Sequence, residues 1–524
     1  MGATITIKNV LPRRKHPIGS EGKLQRLSDL KSMELSCDGR NLRRATIWAV
    51  AGIWMMLVAF TPPVIAKGDG SSMFAVAESI VTRGSITVPA GLGVIGREGR
   101  YYSPWYPLLS LVLVPFAAAG QIIASVVSLP RHYLAGAAAL ICPSMLISAN
   151  ALMTIALALR LGTSVKGALW SGLAFVFGTV ALIDAREILA DPLLALLTAV
   201  TIYLALADPK NFRTARIGVV STLAVLAKPT GLIVGPAAAV FILMRQHKIR
   251  TAAAPLCGAV IGMLLYLSYN DYRFGESFFF GQAAVFQLRN VPVGIVGQLV
   301  SPGHGLFWYC PAVLALVFLP RDILRRAETW LGIGVATAYL VSYSAWRVWD
   351  AGWCWGPRFM IAGLPGLMAL TGFLNQQSRR WLILLTIVGI IVGAPNLVCN
   401  YERVYVESAA AGTSDSVRDW SITEAPITAV WSAARRTIRA SSLPQNDVRF
   451  LVRKAGAVEH KSAGEMPGLN VIALWWWMLP AAHIPAWIGA LAALSITIIG
   501  ILVVAEALRL ASNIDDHNRN EPKR

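Results

Sequence analysis

The stretch Lys67 to Tyr106 reads KGDGSSMFAVAESIVTRGSITVPAGLGVIGREGRYYSPWY, and its reading decides how the rest of the chain is understood. It follows an apolar segment, 45–66, that closes at Pro62-Pro63. Asp69 stands between two glycines, two residues after Lys67. A short amphipathic run follows (Phe74, Val76, Ala77, Ile80, Val81), then a Gly-rich turn and an aromatic, Pro-rich return with Tyr102 at its start. Ionisable groups held against a membrane boundary are costly and tend to mark a functional position. An Asp ahead of a helical run also makes an ordinary N-cap. The two readings of Asp69 can both hold.

Composition sets the class. Of 524 residues, 55% are hydrophobic and only 14% charged, against about 25% charged in a soluble domain. The net charge of +19 falls in short Lys/Arg clusters between apolar runs. That is the positive-inside pattern, with anionic membrane lipids as partner, rather than the basic patch of a nucleic-acid binder. None of the six cysteines forms a CxxC or other metal-ligand spacing. Cys142, Cys257 and Cys310 read as small core residues. Cys354 and Cys399 fall in expected outer loops, where a disulfide is the alternative to the preferred reading of two unpaired thiols.

The clusters thread the chain. Residues 1–44 read as a basic cytoplasmic tail and 45–66 as a retained first span, too far from the N-terminus for a cleavable signal. Pro107–Ser128 is apolar but carries Pro115 and Gly120, and reads as re-entrant. Spans then follow at 132–158, 168–183 and 192–207, with two short helices over 216–244 broken at Lys228-Pro229-Thr230. Further spans lie at 252–269, 304–320, 329–344, 359–374 and 381–397. The segment 398–480 reads as outer and polar, 481–508 as the final span, and 509–524 as a cytoplasmic tail. With this threading, Arg160/Lys166, Lys210/Arg213/Arg216, Arg245/Lys248/Arg250, Arg321/Arg325/Arg326 and Arg379/Arg380 all sit inside. A full crossing at Pro107–Ser128 would move the clusters at 160–166, 210–216, 245–250 and 321–326 outside. The expectation is an all-α polytopic protein of about twelve transmembrane helices.

Functional polar groups then collect on the outer face: Asp69, Tyr102, Arg186, Asp191, Lys228, His304, Trp353 and Arg358. Asp191-Pro192 also fits a routine helix start, and Arg358 a snorkelling interface residue. Asp184 and Glu187 read as solvated rim acids, and Glu78 as the polar face of the amphipathic run. An outward-facing site has no access to ATP or nucleotide sugars, and no Walker or dinucleotide fingerprint is present.

Four features resemble the GT-C class of glycosyltransferases, in the group of protein O-mannosyltransferases and lipid A aminoarabinose transferases. They are Asp69 after the first span, YYSPWYPLLSLVLVP, DAREILADPLLALL, and the pair SPGHGLFWYCPAVLAL and WDAGWCWGPRFMIAGLPGL. The resemblance covers roughly 45–400. It departs from the group where many members have an Asp-Glu pair, since this chain has Asp69-Gly70. It implies a GT-C-like helical bundle in a bacterial inner membrane, its site facing the periplasm. It also implies a polyprenyl-phosphate sugar donor and a glycan, lipid or protein acceptor.

The residues suit that chemistry. A sugar on a polyprenyl phosphate already has a leaving group, so transfer needs a base for the acceptor hydroxyl and cations for the departing phosphate. Asp69 is the expected base, and the family's logic implies inversion. Arg358 is the expected phosphate clamp, because a guanidinium matches phosphate oxygens with paired donors. Lys228, Arg186, Asp191, Tyr102, His304 and Trp353 are expected substrate contacts. No cofactor is expected, and metal dependence is left open. Two alternatives differ in class. An O-antigen-type polymerase or ligase would use the late loop and survive Asp69→Ala. A flippase or transporter would carry charges within its spans, where this chain has few acids.

Overall fold

Several helices in this chain stop at a glycine in the left-handed conformation, as Asp69–Arg83 does at Gly84 and Ile141–Leu161 at Gly162. The computed structural model describes residues 37–65, 68–126, 130–207, 211–279, 286–440, 472–482 and 484–520. Lys67, Phe280 and most of the basic N-terminal tail lie outside them. Among these described residues the architecture is all-α apart from one two-stranded hairpin, Val94–Ile95 with Tyr101–Tyr102, in register Val94↔Tyr102 and Ile95↔Tyr101.

Among the described residues, six helices are long and apolar enough to cross a membrane: Gly39–Ala59, Pro107–Ala124, Arg131–Leu161, Ile249–Phe274, Gln376–Val398 and Ala486–Asn518. Shorter apolar helices fill the spaces between them, including Val165–Phe177 and Ala190–Ala205. The helix over 211–227 breaks at Lys228 as its proline demands. Lys228 takes an extended backbone (φ −164°, ψ 136°), and a 3-10 turn, Pro229–Ile233, leads into Val234–Gln246.

Three sequence expectations need correction. Pro115 and Gly120 do not interrupt Pro107–Ala124, which is one continuous helix. Gly120 instead permits close packing, since a Cβ there would lie 2.3 Å from the Leu134 carbonyl oxygen. The stretch 304–320 is not a single span. A turn at 302–304 precedes the short helix Leu306–Tyr309 and the 3-10 segment Pro311–Phe318. The polar segment after 398 is helical where described: Glu402–Ala410, Asp415–Trp420 and Pro426–Ala440. These helices bury Tyr401, Tyr405, Arg418 and Val430 against the core. The third correction is to the last helix, which runs from Ala486 to Asn520 rather than ending near 508. Asp515 on it accepts hydrogen bonds from the backbone N–H of Val165 and Lys166 at 2.9 and 3.0 Å. An acid near the chain's end thus caps a helix that starts about 350 residues earlier.

The first and last long helices lie side by side. Gly52 and Gly500 face each other so closely that a Cβ on either would meet the other's carbonyl oxygen at 2.6 to 2.8 Å. Small residues at a crossing let helix backbones approach where lipid provides no hydrophobic drive. Cys142, Cys310, Cys354 and Cys399 are buried free thiols, whereas Cys257 is exposed on its helix.

Candidate active site

Asp69 opens the helix Asp69–Arg83 but does not cap it. Gly68 is the N-cap residue, with φ +97°, a conformation open mainly to glycine. Asp69 can therefore turn outward, and its Oδ2 accepts a hydrogen bond from Arg358 Nη2 at 2.6 Å. Asp191 does not cap its helix either. Leu189 is the N-cap, and the Asp191 side chain makes no capping bond. Its two oxygens instead accept from Arg358 Nε at 2.8 Å and Lys228 Nζ at 2.6 Å. Four of the eight residues expected on the outer face therefore form one chain of charges: Asp69, Arg358, Asp191, Lys228.

The four differ in access. The Asp191 side chain is 1% exposed and that of Lys228 7%, while Arg358 keeps 13% and Asp69 20%. Lys228 is held over the rings of Phe359 and Tyr343, at 4.4 and 5.1 Å. Buried and paired in this way, Asp191 orients both cations. Asp69 and Arg358 form the accessible end, and Nη1 of Arg358 is committed to neither carboxylate.

Gly70 sits where a side chain has no space. A Cβ at this position would lie 2.7 Å from the Ile188 carbonyl oxygen and 3.1 Å from the Ile188 Cβ. The start of the Asp69 helix thus presses directly on the 185–189 loop, the second outer loop of the expected threading, with no room for a second side chain. That loop brings its own acid. Glu187 accepts a hydrogen bond from Tyr401 Oη at 2.7 Å and interacts electrostatically with Arg358 and Asp69. Burial pushes its pKa up to about 7, against the opposing pull of the Tyr401 hydrogen bond and the two arginines. Glu187 and Asp184 are therefore not solvated rim acids. Asp184 is buried outright.

The remaining sequence candidates have other partners. Arg186 donates to the backbone carbonyls of Asn396 and Ala473, so it ties two late segments to the second outer loop. Burial lowers its pKa to about 10. Tyr102 is buried in the hairpin, edge-on to Phe274. Trp353 is exposed and stacks on Tyr405 with ring centroids 5.8 Å apart. His304 is buried beside Asp419 and the Gly356 carbonyl. Glu78 bonds His132 at 2.8 Å at the surface, consistent with a supporting polar face.

No protein-family model matches the sequence, and no curated protein sequence matches it. The fold is similar to that of ArnT from Cupriavidus metallidurans in the apo state, over 89% of this chain and 76% of that one, at 14% identity and a TM-score of 0.47. The same protein bound to undecaprenyl phosphate matches over 91% and 78%, at 14% identity and a TM-score of 0.46. The arabinosyltransferase EmbB from Mycobacterium smegmatis matches over 98% of this chain but 43% of its own, at 13% identity and a TM-score of 0.38. The functional reading therefore rests on the geometry of this chain's own charges.

Proposed function

We propose that this chain is a GT-C class membrane glycosyltransferase. It would move a sugar from a polyprenyl phosphate to an acceptor hydroxyl on a glycan, lipid or protein, at the outer face of a bacterial inner membrane. One observation carries the reading: Arg358 is held between a partly accessible carboxylate, Asp69, and a sealed one, Asp191, with Lys228 behind it. A cation pre-positioned by a buried acid is ready to receive a phosphate, and a neighbouring accessible acid is ready to receive a proton.

In this mechanism the donor phosphate engages Arg358 and competes with Asp69 for the guanidinium. The released carboxylate takes the proton of the acceptor hydroxyl as its oxygen attacks the anomeric carbon. The bond to the phosphate oxygen breaks, and polyprenyl phosphate departs with its electron pair, its charge met by Arg358. A single displacement of this kind inverts the anomeric centre. Asp191 and Lys228 set the direction of the clamp without touching the reacting atoms. Exposed aromatic faces such as Trp353 suit a sugar ring.

The test is to incubate the purified chain in lipid with a panel of polyprenyl-phosphate sugars and measure release of polyprenyl phosphate. Release that falls at least ~100-fold in Asp69→Asn is expected, the usual range for losing a positioned base. Full release by that variant would reject the assignment.

A further inference from the structure

Three side chains far apart in sequence meet beneath the loop that carries Arg358. His304 sits in the turn after helix Val291–Val300, Asp350 in the turn before Gly352, and Asp419 near the end of helix Asp415–Trp420. One donor atom from each lies within 4.8 Å of the others. The side chains of His304 and Asp419 are 1% and 8% exposed, and Asp350 is half-buried. Nε2 of His304 and Oδ1 of Asp419 face each other at 3.4 Å, a buried imidazole–carboxylate pair.

The ring's other nitrogen is already provided for. Nδ1 of His304 lies 3.3 Å from the Gly356 carbonyl oxygen. Donating its proton there leaves the Nε2 lone pair aimed at the acids, the arrangement that orients metal-binding histidines. A tetrahedral zinc ion with bonds of ~2.0–2.1 Å separates its ligand atoms by about 3.4 Å. That is the spacing His304 and Asp419 already have. Glycine makes the approach possible: a Cβ on Gly303 would lie 2.7 Å from the Asp419 Cα, and Gly303 N–H donates to the Asp419 carbonyl at 3.1 Å.

We propose that His304, Asp350 and Asp419 bind one divalent transition cation, zinc by preference, as a structural clamp. An imidazole with two carboxylates favours zinc over calcium or magnesium, which take oxygen ligands. The ion would tie the helix Asp415–Trp420 to the 346–358 loop, whose far end is Arg358. None of its three ligands bonds to Asp69, Asp191, Lys228 or Arg358, so the site is separate from the charge chain and independent of the transferase reading. Without a cation, the same three groups would form only an imidazolium–carboxylate ion pair.

Metal binding, not activity, is the readout. The full chain in lipid nanodiscs is stripped with a chelator and titrated with Zn2+, with Co2+ as a spectroscopic probe and Mg2+ as a control. The expected result is one Zn2+ per chain by elemental analysis, visible Co2+ d–d bands, and a Tm several degrees above that of the stripped protein. Asp350→Asn and Asp419→Asn should each weaken uptake at least tenfold. His132→Asn, at the exposed His132–Glu78 pair, should leave uptake unchanged. Asp350 is only half-buried, so its variant carries the comparison if Asp419→Asn does not fold. The proposal is overturned if the stripped protein takes up no zinc, or if Asp350→Asn binds it as well as the parent. It is equally overturned if zinc leaves the Tm unchanged, the result expected of an ion pair alone.

Discussion

Asp69 and Asp191 are the same residue type, bind the same guanidinium, and differ in what their loss should do. Asp191 is sealed and serves two cations, the buried Lys228 and the partly accessible Arg358. Removing one partner of a buried ion pair costs about 3–5 kcal/mol, because the opposite charge is left uncompensated. Asp191→Ala is therefore expected to lower both the Tm and the yield of folded protein, with activity lost as a consequence. Asp69 is more accessible, and Arg358 keeps Asp191 when Asp69 is neutralised. Asp69→Asn should unfold within a few degrees of the parent while losing turnover. Thermal unfolding and donor turnover measured on both variants separate the roles. Equal destabilisation by the two would contradict them.

Glu187 gives the site a pH dependence with a definite sign. Its pKa is raised to about 7, so the folded state holds the proton more tightly than the unfolded chain. The associated stability is present below the ordinary carboxylate range and is lost as pH climbs through about 7. Above that pH an extra negative charge sits near Arg358, which opposes a phosphate. The donor KM should rise as pH passes from 6 to 8 in the parent enzyme and stay flat in Glu187→Gln. A parallel rise in both would remove Glu187 from the site.

At the scale of elements, the site depends on two contacts that tolerate no side chain. The start of helix Asp69–Arg83 touches the Ile188 backbone through Gly70. Gly70→Ala should push the helix away from the second outer loop, lengthen the Asp69–Arg358 pair and reduce turnover at least tenfold. A Gly70→Ala protein with parental turnover would show that this packing does not set the site. At the other end, Gly356 has φ +63°, and a Cβ there would lie 2.6 Å from the buried Tyr309 ring. Backbone strain and a clash with a fixed ring each cost of order 1–3 kcal/mol. Gly356→Ala should lower the Tm by several degrees, measured by thermal unfolding. Both glycines are visible in the sequence. Their partners, Ile188 and Tyr309, are not, because the contacts join segments 47 or more residues apart.

The whole molecule carries its charges in a pattern that predicts its orientation. If the Lys/Arg clusters face the cytoplasm, a single cysteine at the exposed turn residue Ala411 will react with a membrane-impermeant maleimide added outside intact cells. One at Lys248 will react only after the membrane is opened. The reverse pattern would invert the threading and place Asp69, Arg358 and Lys228 on the cytoplasmic side.

The residue order alone determined the class of this protein. Apolar runs of span length, separated by basic clusters, have few other physical solutions than a helical membrane bundle. It also determined the break at Lys228-Pro229, since proline's effect on its predecessor is local, and it singled out Asp69, Asp191, Lys228 and Arg358 as candidate site charges. What only the tertiary structure decided was which charges meet. Asp69 and Arg358 are 289 residues apart yet bonded, and no spacing rule reaches that far. The same limit hid the burial of Glu187, the helical character of the segment after 398, and the gathering of His304, Asp350 and Asp419. The opening stretch thus supplied one accessible acid and a helix to carry it. The fold supplied its cations, the second outer loop packed against Gly70, and the absence of any space for a second acid beside it.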